Sequence, residues 1–296
     1  MYYFFDYEEP VFRPPSEARS LILQATVGCS QNDCTFCGMY KMKSFRCRPL
    51  DELVADIESI PPTHREYVQR VFLADGDALV YPQKGLVAIL ETLADTFPNL
   101  TRVGIYASPN SLKTKSVEEL TQLRQRKLRI LYFGLESGDD VTLEKIKKGC
   151  DAATMLELCH KAQSAGLKLS ATAILGLAGR ERSDEHALAT AEWISDLSPA
   201  YFSLLTLFPR HNEDFFVGLS RQSRGELLQE ALTVVQHLDP QRTILRSNHA
   251  SNFLNLAGSY PKDRERLIAD VEQAIELARR HPEWYHEIPD YSEAHY

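Results

Sequence analysis

Three cysteines fall within nine consecutive positions, Cys29-Ser30-Gln31-Asn32-Asp33-Cys34-Thr35-Phe36-Cys37. Thiolates are soft ligands that suit zinc or iron-sulfur centres. Three on one short loop can hold a cubane cluster and leave one iron without a protein ligand, an open position where chemistry takes place. The same loop closes a structural zinc site if Cys47 supplies a fourth thiolate, and the spacing alone leaves both readings open. The remaining cysteines bring the total to six in 296 residues, too few for a disulfide scaffold. That usage fits a metal site in a reducing compartment, so the expected location is the cytoplasm.

Further polar residues follow short apolar runs in a regular way. Ala74-Asp75-Gly76-Asp77, Ser108-Pro109-Asn110-Ser111, Gly134-Leu135-Glu136-Ser137-Gly138 and Ile174-Leu175-Gly176-Leu177-Ala178-Gly179 each come at the end of such a run. The runs themselves, Leu21 to Val27, Val71 to Ala74, Val103 to Ala107, Ile130 to Leu135, Leu167 to Leu175 and Tyr201 to Phe208, have strand length and composition. Between them lie helical stripes: Leu86, Ile89, Leu90, Leu93 and Phe97; Met155, Cys159 and Ala162; Ala187, Leu188, Ala191 and Ile194. Six strands alternating with helices imply a parallel sheet with crossover helices. The expected class is α/β, a partial (β/α)6 TIM-type barrel, although a doubly wound open sheet writes the same pattern. Either way the loops at the C-terminal ends of the strands carry the site.

After Pro209 the strand rhythm stops, and stripes at Leu228, Ala231, Leu232, Val235 and at Leu267, Val271, Ala274, Ala278 predict a helical C-terminal extension. The expected organisation is an N-terminal segment, 1–17, a barrel module, 18–210, and the extension, 211–296, whose last fifteen residues read as a loose tail. Within the extension the polar run Arg246 to Asn252 is bracketed by Ile244-Leu245 and Phe253-Leu254, which should tether it to the core. Arg246, Asn248, His249 and Asn252 are therefore candidates to meet a substrate, with Arg210 and His211 as competitors at the rim. Histidine titrates near neutrality and can transfer a proton, and arginine recognises carboxylates.

These residues resemble the radical S-adenosylmethionine (SAM) superfamily, whose signature is three cysteines with an aromatic before the third. Phe36 holds that place, although the first gap, Ser30 to Asp33, is four residues where three is commonest. The segment from Gly134 to Gly138, followed by Leu143 and Lys147-Lys148-Gly149, is similar to that of the oxygen-independent coproporphyrinogen oxidase and Elongator-type enzymes. The resemblance implies that Cys29, Cys34 and Cys37 hold a 4Fe-4S cluster, with Phe36 against the SAM adenine. It implies further SAM contacts at Asp75, Gly76, Asp77, Ser108, Asn110, Glu136 and Gly176. It also implies that a reductant such as flavodoxin or ferredoxin feeds the cluster, which cleaves SAM to a 5'-deoxyadenosyl radical that takes hydrogen from a substrate. Glu136, Arg246 and His249 are the candidate catalytic residues. Ser108 reads equally well as a helix cap.

Composition limits the partners. A formal net charge of -8, from 41 acidic and 33 basic side chains, supplies no global field to gather nucleic acid. The run Lys41, Lys43, Arg46, Arg48 is the local exception and reads as a solvated loop or an RNA-docking patch. No stretch approaches the ~18 apolar residues of a membrane span, and Met1 to Asp6 lacks the basic start of a signal peptide. No cysteines follow Tyr201, and 28 residues precede Cys29, so neither an auxiliary-cluster domain nor an upstream cobalamin segment is expected. The expected substrate is small or tetrapyrrole-like. RNA or a protein side chain is the alternative substrate, and a non-catalytic zinc or iron-sulfur scaffold the alternative to an enzyme.

Overall fold

The computed structural model describes residues 5–290. The expectations for the first four residues and for the last six lie outside the described residues. The backbone forms two compact units. The first comprises the chain up to Asn32 with Met39–Phe133 and Glu157–Leu169, and the second comprises Asp33–Gly38, Gly134–Leu156 and the chain from Ser170 onward.

In the first unit the elements are β1 (Leu21–Gln24), β2 (Thr26–Val27), β3 (Arg46–Cys47), α1 (Leu50–Ser59), α2 (Pro62–Arg65), β4 (Arg70–Ala74), α3 (Gln83–Thr96), β5 (Arg102–Ala107), α4 (Pro109–Lys113), α5 (Val117–Gln125) and the larger part of β6 (Leu128–Glu136). Strands β1, β4, β5 and β6 pair in that order, all parallel, while β2 and β3 form a separate antiparallel ribbon. Burial on both faces explains why these strands read as unbroken apolar runs: Val71, Phe72, Leu73 and Ala74 are all fully buried. Leu86, Ile89, Leu90 and Leu93 form the buried face of α3, as the helical stripe requires. At the foot of the sheet Glu17 is buried and accepts a hydrogen bond from Arg102 at 2.6 Å, tying the N-terminal segment to β5.

Phe72 is the centre of this core. Its ring meets Tyr106 at 4.9 Å and Tyr132 at 5.7 Å between centroids, both edge-on. Edge-on aromatic pairs gain beyond area burial alone, and truncating a buried Phe leaves a cavity. Phe72→Ala is expected to lower unfolding free energy by about 3–5 kcal/mol, read as a drop in the urea midpoint at unchanged slope.

The second unit holds the end of β6, α6 (Asp140–Lys145), the start of α7 (Ala152–Ser164), most of β7 (Lys168–Leu175), α8 (Ser183–Leu197), β8 (Tyr201–Thr206), α9 (Glu213–Val217), α10 (Arg224–His237), β9 (Ile244–Arg246), β10 (Ala257–Ser259), α11 (Arg264–Arg279) and α12 (Pro282–His286). Strands β7, β8 and β9 are parallel, and β10 returns antiparallel to β9. Helix α10 packs on α8 and on α11.

Three expectations need adjustment. The strand rhythm does not stop at Pro209, because Ile244–Arg246 and Ala257–Ser259 add two strands to the helical C-terminal region. Strands of three residues are too short to leave a periodic signature. Leu188 does not belong to the buried stripe of α8; it is exposed, and Trp193 and Leu197 fill that face instead. Part of the tail expected to be loose, Pro282–His286, is helical, with Pro282 at the first turn where its missing N–H costs nothing.

Candidate active site

In the first unit the polar residues gather where the parallel strands β1, β4 and β5 end. Asp75, directly after β4, is fully buried and accepts hydrogen bonds on Oδ2 from Gly28 N (3.0 Å), Gln24 Nε2 (2.9 Å) and Lys43 Nζ (2.8 Å). Its Oδ1 is buried with no hydrogen-bond partner. Burial pushes the Asp75 carboxyl above the usual range even though Lys43 and the other donors pull it down. The Gly76 turn abuts Cys29 and the Tyr40 ring.

Asp77 is equally buried, and the cause of its upward pKa shift is again burial, opposed by hydroxyl donors. Oδ1 accepts from Ser108 N at 3.0 Å; Oδ2 accepts from Ser108 Oγ at 2.7 Å and from Ser30 Oγ in the cysteine loop. A SAM amino group would have to displace one of these donors to reach the Asp77 side chain. Ser108 takes the helix-cap role, closing a reciprocal box with Ser111 at the start of α4, and its hydroxyl is donated to Asp77. Asn110 is exposed in the first turn of α4.

The second unit contains Cys34 and Cys37, and here the cysteine loop is held by three local bonds. Thr35 N donates to Ile146 O at 3.0 Å, Cys37 N to Cys34 O at 3.3 Å, and Asn212 Nδ2 to Phe36 O. Phe36 and Cys34 are buried, whereas Cys37 is half-buried. Glu136 leaves the end of β6 in the left-handed region, at φ 68°, and its Oε1 accepts from Lys148 Nζ at 3.1 Å. The carboxylate folds back over Gly134, where an added Cβ would meet Oε1 at 2.0 Å, so a glycine two residues upstream makes the space. Gly176 ends β7 with its N–H donated to Glu230 Oε1 at 2.8 Å.

The tethered run of the extension starts at the last residue of β9 and continues past it. Arg246 is exposed there, and its Nη1 donates to its neighbour Leu245 O at 2.8 Å. The His249 ring stacks on Phe208 at 6.1 Å, Ser251 Oγ accepts from Thr206 N at 3.2 Å, and Asn252 Oδ1 accepts from Thr206 Oγ1 at 2.9 Å. His249 therefore stands at the C-terminal end of β8, and burial pushes its pKa below the usual histidine range. At neutral pH the ring is neutral, and its Nδ1 accepts from Ser251 N at 3.2 Å.

Sequence reasoning missed Gln24 and Lys43 beneath Asp75, Asn212 on the Phe36 carbonyl, and the buried set Ser137, His186 and Glu230. Glu230 left a usable trace: it falls in register with Leu227, Ala231 and Val234 on the buried face of α10. A carboxylate on an apolar stripe is costly unless something uses it.

A sequence model of the radical SAM superfamily matches residues 23–214, which spans the cysteine loop and every strand end described above except β9 and β10. The chain belongs to the radical SAM superfamily. As such it is an enzyme whose cofactors are a 4Fe-4S cluster and SAM, and radical SAM enzymes require a substrate and a reductant. A protein of Methanocaldococcus jannaschii named as a methylthiotransferase is 24% identical over 178 residues, covering 57% of this chain and 37% of its own length.

Among solved structures, coproporphyrinogen III oxidase (HemN) from Escherichia coli matches 73% of the chain and 52% of its own, with TM-score 0.55 and 16% identity. The [FeFe]-hydrogenase maturase HydG matches 84% and 54%, at TM-score 0.52 and 19% identity. These likenesses establish the shared α/β partial-barrel fold. The chain spans about half the length of those two structures and less of the methylthiotransferase.

The donor set suits the radical SAM cluster. Cys29, Cys34 and Cys37 offer three thiols on one loop. Cys47, which a four-thiolate zinc site needs, lies in β3, outside the nine-residue loop, and burial and then the Asp77 carboxylate push its thiol up. Among the described residues no three His, Cys, Asp or Glu side chains are gathered as for a single metal ion.

Proposed function

We propose that Cys29, Cys34 and Cys37 are the cluster ligands and that SAM is held by Phe36, Asp75, Gly76, Asp77, Ser108, Asn110, Glu136 and Gly176. In this reading residues 18–210 are the catalytic module, 1–17 its leading segment and 211–296 an extension that supplies substrate contacts through Arg246 and His249. The substrate is a small or tetrapyrrole-like metabolite, and flavodoxin or ferredoxin in the cytoplasm is the reductant. Cluster and SAM together supply a one-electron cleavage that generates a hydrogen-abstracting adenosyl radical. The chain's own residues bind, orient and shield.

Glu136 is the observation that carries this reading. A non-glycine residue in the left-handed region costs of order 1–3 kcal/mol, and such positions persist where function uses them. Here the strain aims a largely buried carboxylate, neutralised by Lys148, from the C-terminal end of a barrel strand. Ribose hydroxyls or an amino group satisfy such a carboxylate. Anaerobic reconstitution with SAM and dithionite tests the class directly: 5'-deoxyadenosine and methionine should accumulate, and no SAM turnover from an iron-loaded protein would sink the assignment.

Glu136→Gln is expected to keep the wild-type iron content while weakening SAM binding about tenfold to a hundredfold, the loss of a charge-assisted bond of roughly 1.5–3 kcal/mol. Equilibrium dialysis with labelled SAM measures it. An unchanged dissociation constant would remove Glu136 from the SAM site.

A small substrate is favoured because the basic run is already engaged. Lys43 is buried on Asp75, Arg46 pairs with Glu8 at 2.8 Å, Arg48 pairs with Asp56 at 2.8 Å, and Lys41 donates to Asn32 O. Phosphate contacts would have to compete with each of these. The second reading, methylthio transfer to RNA or a protein side chain, is favoured by the M. jannaschii relative. RNA binding with a steep loss on added salt would select it. Among the described residues no helix is long and apolar enough to cross a membrane.

A further inference from the structure

We infer that Glu230, on α10 of the extension, is a positioning residue that sets the SAM-facing ends of β6 and β7 together. This rests on the reading that Glu136 and Gly176 contact SAM. Glu230 is 1% exposed, with Oε1 accepting from Gly176 N at 2.8 Å and Oε2 from Gln222 Nε2 at 2.8 Å and Ser183 Oγ at 2.5 Å. On its other side Oε1 faces His186 Nε2 at 3.6 Å. That nitrogen is buried and has no hydrogen-bond partner, so Glu230 is the group it addresses. The far ring nitrogen, Nδ1, lies 2.7 Å from Ser137 Oγ, which in turn accepts from Asp139 N at 3.0 Å.

The polarity of the chain follows from its ends. Nε2 facing a carboxyl oxygen carries the ring proton, so Nδ1 is the acceptor and Ser137 the donor. Asp139 N–H, Ser137 O–H and His186 N–H thus run head to tail towards one carboxyl group. Ser137 is the residue after Glu136, whose left-handed backbone must be held by its surroundings. One carboxyl group on α10 therefore fixes Gly176 directly and Glu136 through two side chains. His186 and Ser137 are both fully buried, and in so dry a setting the Nε2 edge is held towards the one carboxyl oxygen it faces, 3.6 Å away.

Glutamine at 230 cannot serve all the donors. Turned one way, its NH2 meets Gly176 N–H, donor against donor; turned the other way, it makes Gln222 and Ser183 give up the orientations they hold on the carboxylate. In reconstituted full-length protein, Glu230→Gln is expected to raise the SAM dissociation constant about tenfold, at wild-type iron content. Ser137→Ala, which cuts the far end of the network and leaves the core volume nearly unchanged, should raise it severalfold in a protein that still folds and loads iron. In the same protein the 15N shifts of His186 should report an Nε2–H tautomer that is lost in Glu230→Gln.

Unchanged SAM affinity in Ser137→Ala overturns the inference, and this variant decides should Glu230→Gln not fold. An Nδ1–H tautomer in the wild type overturns it as well. Failure of wild-type, iron-loaded protein to bind SAM would instead overturn the reading beneath it.

Discussion

Replacing any one of Cys29, Cys34 or Cys37 with Ala is expected to abolish the cluster and, with it, all SAM cleavage. A three-thiolate cubane has no spare protein ligand: the fourth iron is the one left open for SAM, so two cysteines cannot share the work of three. The loss should be all or none, with iron, sulfide and the absorbance of the reconstituted protein falling to background. Cys150→Ala and Cys47→Ala serve as controls and should retain all three signals. Cys47 is the sharper control, because a closed four-thiolate zinc site needs it and a SAM-binding cluster does not. Stoichiometric zinc without sulfide, lost in Cys47→Ala, would end the cluster assignment.

The sequence carried much of the frame because parallel strands buried on both faces are apolar throughout, and their ends are punctuated by glycine and short polar residues. The six strand runs of the barrel are present within one or two residues of their expected ends, apart from a break at Ala25 that divides the first into β1 and β2. What was not legible was which partner each polar residue chooses. Lys43 looked like one of four surface cations, yet it is buried on Asp75, 32 positions away. Asp77 reads as a carboxylate for SAM, and nothing in its spacing tells that three serines, one in the cysteine loop and two at the start of α4, converge on it. Spacing along the chain has no access to such contacts, since they are created only when loops from different strands meet. Glu230 was within reach: its register with Leu227, Ala231 and Val234 puts a carboxylate on an apolar face, and the stripe read through Leu228, Ala231, Leu232 and Val235 already shared Ala231 with it.

Gly38→Ala is the second change for which a near-complete loss is expected, and its reason is steric. Gly38 follows Cys37, and a Cβ added there would lie 1.4 Å from Arg210 O and 2.5 Å from Arg210 C. Cβ is fixed by the backbone, so no rotamer relieves the overlap; either the cysteine loop or the segment after β8 must move. That segment has little freedom, because Asn212 Oδ1 accepts from Arg210 N at 2.6 Å while Asn212 Nδ2 holds Phe36 O. Displacing it withdraws the support of Phe36 and of the cysteine at 37 at the same time. Iron incorporation in Gly38→Ala should fall below about a tenth of wild type, since misplacement of order 1 Å is enough to spoil a site. The core should stay folded, with helical circular dichroism unchanged. Gly218→Ala is the matched control: nothing lies within 4 Å of a Cβ at 218, and that variant should load iron and cleave SAM as wild type does. Wild-type iron content in Gly38→Ala would mean that the segment after β8 takes no part in holding the cysteine loop, and Asn212 would then lose its place in the site.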